Sequence, residues 1–135
     1  MKQKRVDIQS ALGALAGVED KIAIYIPNKD KNSNVIPNEM HGRWIDQCID
    51  LLCEICGGAT QMPPARGIWL NTDTQKQVRE EPVIIYAYVS DNNKFSANLS
   101  KIKAWIQTVG REGNQGQIAV EWNQTLYLIN IEESE

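Results

Sequence analysis

Two short segments with strict alternation constrain this chain more than any other feature. The first reads Lys21-Ile22-Ala23-Ile24-Tyr25-Ile26 and the second Val83-Ile84-Ile85-Tyr86-Ala87-Tyr88-Val89. In an extended strand, successive side chains point to opposite faces. Ile22, Ile24 and Ile26 therefore share one face and Tyr25 points to the other. Val83, Ile85, Ala87 and Val89 share a face, with Ile84, Tyr86 and Tyr88 opposite. The aliphatic set reads as a core. The tyrosines read as an open surface that meets a second subunit, a ligand or a base.

Helical patterns separate the strands. After Pro37, Asn38 is a good N-cap, and Met40, Trp44, Cys48, Leu52 and Ile55 form one apolar stripe that ends at Gly57-Gly58. A second helix carries Leu99, Ile102, Ile106 and Val109 on one face with Trp105 beside it, and is expected to end at Gly110. Residues 59–70 read as an irregular strand, because Pro63-Pro64 cannot sit inside a paired sheet. Residues 77–89 read as the next strand. Segments 117–122 and 125–131 read as two more, around Asn123-Gln124. The order β-α-β-β-α-β(β) predicts a ferredoxin-like α+β fold, an antiparallel sheet with two helices on one face. Residues 1–20 would be an N-terminal arm or short helix, 21–131 a single domain, and 132–135 an acidic tail.

At 135 residues the chain fits one domain, and its apolar and charged fractions (42% and 23%) are those of a globular protein. Its net charge of −3 argues against phosphate-backbone binding, which rests on clustered Lys and Arg. No apolar run approaches the length of a transmembrane helix. Asp7, Gln9 and Ser10 interrupt the stretch after the basic start Met1-Lys2-Gln3-Lys4-Arg5, so a cytoplasmic protein is expected. Cys48, Cys53 and Cys56 echo a plant-ferredoxin cluster spacing but lack a fourth cysteine. Cys53 and Cys56 have thioredoxin-like spacing at a helix end instead of a helix start. The expectation is reduced, mostly buried thiols, with no metal and no cofactor.

Gly57-Gly58-Ala59-Thr60, Gly67-Ile68-Trp69, Glu80-Glu81 and Gly116-Gln117-Ile118-Ala119-Val120 resemble segments of small bacterial and mobile-element proteins of ferredoxin-like type. The resemblance spans about residues 21 to 131. It implies the fold and no reaction; Met62 and Pro63-Pro64 depart from it.

The chain has no strong catalytic, metal or nucleotide motif. His41 is the sole histidine, and a lone helix histidine is more often a surface residue than an acid–base catalyst. Glu80, Glu81 and Glu121 would form a carboxylate site if their strands were adjacent, balanced by Arg66 or Arg79. Ile24-Tyr25-Ile26-Pro27-Asn28 with Tyr86 and Tyr88 resembles the base-stacking aromatics of RNA-recognition motifs. Glu80-Glu81-Pro82 stands where that family places basic residues, which argues against nucleic acid. The leading expectation is a homo-oligomeric, non-catalytic module for a small ligand or protein. Its candidate binding residues are Tyr25, Arg66, Trp69, Glu81, Tyr86, Tyr88 and Gln117. The alternative is a small enzyme with a pocket at the sheet and subunit interface, drawing on Glu81, Arg66, Trp69 and His41.

Overall fold

A computed structural model describes residues 5–133. Residues Met1–Lys4 of the basic start, and Ser134 and Glu135 of the acidic tail, lie outside the described residues. The elements in order are α1 (Ile8–Leu12), β1 (Asp20–Ile26), α2 (Asn38–Cys56), β2 (Thr60–Gln61), β3 (Gly67–Asn71), β4 (Lys76–Glu80), β5 (Val83–Val89), α3 (Asn92–Glu112), β6 (Gln117–Trp122) and β7 (Thr125–Asn130).

The two alternating segments lie side by side at the centre of the sheet. β1 and β5 run antiparallel, with Ile22 opposite Ala87, Ile24 opposite Ile85 and Ile26 opposite Val83. The five-stranded sheet has the order β2-β5-β1-β6-β7, antiparallel throughout. This is the expected ferredoxin-like α+β plan with one added edge strand. Both long helices cover the aliphatic face. Trp44, Cys48, Leu52 and Ile55 of α2, and Phe95, Ile102, Ile106 and Val109 of α3, join Ile22, Ile24, Ile26, Val83 and Ile85 in one cluster.

Three local expectations change. Leu99 lies on the α3 stripe yet is 46% exposed, while Phe95 is buried and stacks on Trp122, ring centroids 5.1 Å apart. Periodicity sets an angle around the helix axis, not what lies opposite at that height. α3 also runs past Gly110. A Cβ there would stand 2.3 Å from Ile131 Cδ1, so this glycine is a notch for the C-terminal segment and not a helix stop. Beside it, Gln107 donates to the Asn130 carbonyl at 2.8 Å and accepts from the Glu132 N–H at 2.8 Å. At the start of α2 the cap position is Pro37, with Asn38 already helical. Asp91 caps α3 by accepting from the Lys94 N–H at 3.0 Å.

The expected strand over 59–70 is broken, and the one over 77–89 is two strands. β2 is cut to two residues ahead of Pro63-Pro64, and the chain then forms a separate hairpin from β3 and β4. Pro82 divides β4 from β5. The hairpin is tied at its base, where Lys29 Nζ donates to the Arg79 carbonyl at 2.9 Å. The five-residue α1 is capped by Asp7 and closed by left-handed Gly13, and buries no residue. Among the described residues no helix is long and apolar enough to cross a membrane.

Candidate functional site

The face of the sheet away from the helices is built from the other half of the same alternation. Ala23 pairs with Tyr86 on one side and Glu121 on the other, and Lys21 pairs with Tyr88. Directly opposed residues of an antiparallel pair share a face. Lys21, Ala23, Tyr25, Tyr86, Tyr88 and Glu121 therefore stand together on one surface.

Their side chains interlock. The Tyr86 and Tyr88 rings meet edge to face, centroids 5.9 Å apart and planes at 86°. Lys21 Nζ lies 4.3 Å from the centre of the Tyr86 ring and 5.7 Å from that of Tyr88, within cation–π range. The Tyr25 hydroxyl donates to a Glu121 carboxylate oxygen. That bond, together with partial burial and the Glu121 charge, pushes the Tyr25 phenol up to about 12 from its ordinary 10.0. Ala23 is only 5% exposed although no helix covers it, because its longer neighbours roof it over.

The β6–β7 turn closes one end. Asn123 and Gln124 have φ of 50° and 76°, the left-handed pair that a two-residue hairpin turn requires. Asn123 also stitches the turn to β1. Its Oδ1 accepts from the Lys21 N–H at 2.8 Å, and its Nδ2 donates to Asp20 Oδ1 at 2.8 Å.

Two clefts flank Tyr88. The first, of about 390 Å³, is floored by Ala23 and lined by Glu19, Lys21, Glu121 and Asn123. The second, of about 460 Å³, lies at the β5 edge and is lined by Val18, Cys56, Gly58, Ala59 and Tyr86. One is charged and the other mostly apolar, and Tyr88 belongs to both.

Of the residues singled out from sequence, Tyr25, Tyr86 and Tyr88 come together here. Arg66, Trp69 and Glu81 do not. Arg66 is exposed in the loop before β3, Trp69 is half-exposed on the hairpin, and Glu81 is exposed between β4 and β5 with its N–H bound to Asn28 Oδ1 at 2.8 Å. Gln117 starts β6 at the end away from Asn123 and donates to Asn130 Oδ1 at 2.9 Å. His41 belongs to the first turn of α2, on the covered side of the sheet; its Nε2 is buried without a hydrogen-bond partner. The imagined trio of Glu80, Glu81 and Glu121 is split. Glu121 stands level with Tyr86, whereas Glu80 and Glu81 precede β5. Burial pushes the Glu80 carboxyl up, with Trp69 and Lys29 pulling partly against it.

The thiols differ from one another. Cys48 is buried, and desolvation pushes it up to about 12. Cys56 is half-buried and also raised, chiefly by burial. Cys53 is exposed, which corrects the expectation of mostly buried thiols. Among the described residues, no three His, Cys, Asp or Glu side chains are grouped to hold a metal ion.

Lys21, Ala23, Asn123 and Gly58 were not among the site residues read from the sequence. Lys21 and Ala23 carried a usable signal, since alternation puts both on the Tyr25 face.

No protein-family model and no curated protein sequence matches the chain. Solved structures of similar fold exist. A phage SAM lyase in complex with S-methyl-5'-thioadenosine matches with a TM-score of 0.60 at 18% identity, over 90% of this chain and 96% of that one. A phage SAM lyase in the apo state matches with a TM-score of 0.55 at 17% identity, over the same shares. The likeness is one of fold. These neighbours are enzymes, which overturns the expectation of a non-catalytic module.

Proposed function

We propose that the chain is a small enzyme whose site is the open tyrosine face, and that it acts on an adenosyl sulfonium of the S-adenosylmethionine class. The observation that carries this reading is the pair of clefts meeting at Tyr88, one charged and one apolar, with a cation already seated on the rings between them. A nucleoside sulfonium has the same layout: a flat base, a central cation and a charged amino-acid end. The solved lyase structures of similar fold support it, one of them holding the thioether nucleoside.

Residue roles follow from the chemistry. Converting the sulfonium nucleoside to the thioether nucleoside breaks the bond between sulfur and the γ-carbon of the amino-acid chain; the substrate's own carboxylate oxygen forms the new bond to that carbon and closes a lactone, while the electron pair goes to sulfur and discharges the cation. The faces of Tyr86 and Tyr88, where Lys21 sits in the free protein, attract the sulfonium before that step, with Lys21 turned to the substrate carboxylate. Glu121 and Glu19 supply negative charge for the ammonium end, and Lys21 supplies positive charge for the carboxylate. Tyr25 is a poor general base, because its phenol keeps its proton to about pH 12. It holds the Glu121 carboxylate in place. Self-association over this face, with the exposed Leu126 and Leu128 of the β7 edge at its rim, is part of the proposal.

The test is incubation of the protein with S-adenosylmethionine, with S-methyl-5'-thioadenosine quantified against a protein-free control. Enzyme-dependent product should form, and should be lost in Tyr88→Ser and Glu121→Ala. Absence of both binding and product sinks the reading.

A further inference from the structure

The exposed edge of β5 carries more chemistry than its side chains. Main-chain groups along an antiparallel strand alternate in direction, each residue aiming its N–H and C=O to one side. The carbonyls of Pro82 and Ile84 accept from Ala65 and Met62, each at 2.9 Å, so the even-numbered residues of β5 face the β2 side. Tyr86 meets Thr60 there. Tyr88 is next in the series and has no strand residue opposite, because β2 begins at Thr60.

The chain turns away at that point for a local reason. Gly57 is the left-handed cap of α2, with φ of 87°, and its N–H donates to the Cys53 carbonyl at 2.9 Å. Gly58, which the register would place opposite Tyr88, has no such backbone requirement. A Cβ at Gly58 would meet nothing within 4 Å. The space between Tyr88 and Gly58 is the apolar cleft of about 460 Å³. A main-chain donor and acceptor thus face an open cleft across bare glycine backbone, beside two aromatic rings. The next even-numbered residue, Ser90, lies outside the strand, so the free stretch is too short for an added peptide strand and suits a small planar ligand.

Resting on the adenosyl substrate proposed above, we infer that this cleft takes the base and that the main-chain N–H and C=O of Tyr88 read its 6-aminopurine edge. Adenine offers the matching pattern, N1 as acceptor beside the N6 amino donor on its Watson–Crick edge. A 6-oxopurine held by the same ribose reverses both groups and leaves the two backbone groups unpaired.

The experiment is amide NMR with adenosine, inosine and N6,N6-dimethyladenosine as probes. Adenosine should shift the Tyr88 amide saturably. The other two should bind at least about 10-fold more weakly, the scale of one lost hydrogen bond. Gly58→Val should keep the spectrum of the core and lose adenosine binding. An unmoved Tyr88 amide, or equal affinity for adenosine and inosine, overturns the inference. Turnover of S-adenosylmethionine on the same samples separates the two readings. Adenosine seated at Tyr88 without turnover removes the enzyme and leaves the base site. Turnover with equal use of the 6-oxo analogue removes the base site and leaves the enzyme.

Discussion

On one face of β1 and β5, Ile22, Ile24, Ile26, Val83 and Ile85 lie beneath two helices, almost fully buried. On the other face of the same strands, Lys21, Tyr25, Tyr86 and Tyr88 meet solvent, and Ala23 is buried only by its neighbours. The first face is closed by distant elements and filled with side chains that have no polar work to do. The second is organised by contacts within itself: a ring pair, a cation on the rings and a phenol bound to a carboxylate. Stability should therefore concentrate on the covered face and ligand affinity on the open one.

Truncation on each face probes that division most strongly. Trp44 is fully buried and donates from Nε1 to Glu112 at 3.3 Å, so Trp44→Ala should cost about 3–5 kcal/mol in chemical denaturation. Tyr88→Ser should cost within about 0.5 kcal/mol of nothing, as exposed substitutions do, while ligand affinity falls. Comparable losses of stability in the two variants would break the comparison.

Smaller, and still on the covered side, is the Gly110 notch. Gly110→Ala forces a methyl into Ile131 and should destabilise by about 1–3 kcal/mol. Adding Ile131→Ala should relieve most of that cost; if it does not, the close approach is not its cause.

Ala23→Leu sharpens the contrast from the open side. Its side chain would grow into the charged cleft, so binding of S-adenosylmethionine in calorimetry should disappear while the melting temperature moves by no more than a few degrees. Unchanged binding would place the ligand elsewhere.

The smallest effect is spectroscopic. Tyr25 has its pKa raised from 10.0 to about 12 in the folded chain. Its contribution to stability is thus complete below pH 10 and lost as pH rises from 10 to 12. Ultraviolet titration should find a late phenol, and Glu121→Gln should move it back toward 10. A late phenol that persists in Glu121→Gln would assign the shift to burial alone.

Most of what near neighbours set was legible in the sequence, the cap of α2 excepted. Alternation in Lys21–Ile26 and Val83–Val89 divides core from tyrosine face, since a strand has no freedom to do otherwise. The apolar spacing of α2 and the Asn123-Gln124 turn belong to the same class. Tertiary structure decided whatever depends on residues far apart in the chain. Leu99 and Phe95 share a helical stripe, and only the position of Trp122 selects Phe95. Gly110 looked like a helix stop until Ile131 packed on it. Arg66, Trp69 and Glu81 looked close to the site until Pro63-Pro64 and Pro82 routed them into a separate hairpin. The free main chain of Tyr88 exists because β2 begins only at Thr60 and Gly57 turns the chain aside, an outcome of strand pairing that no local pattern records.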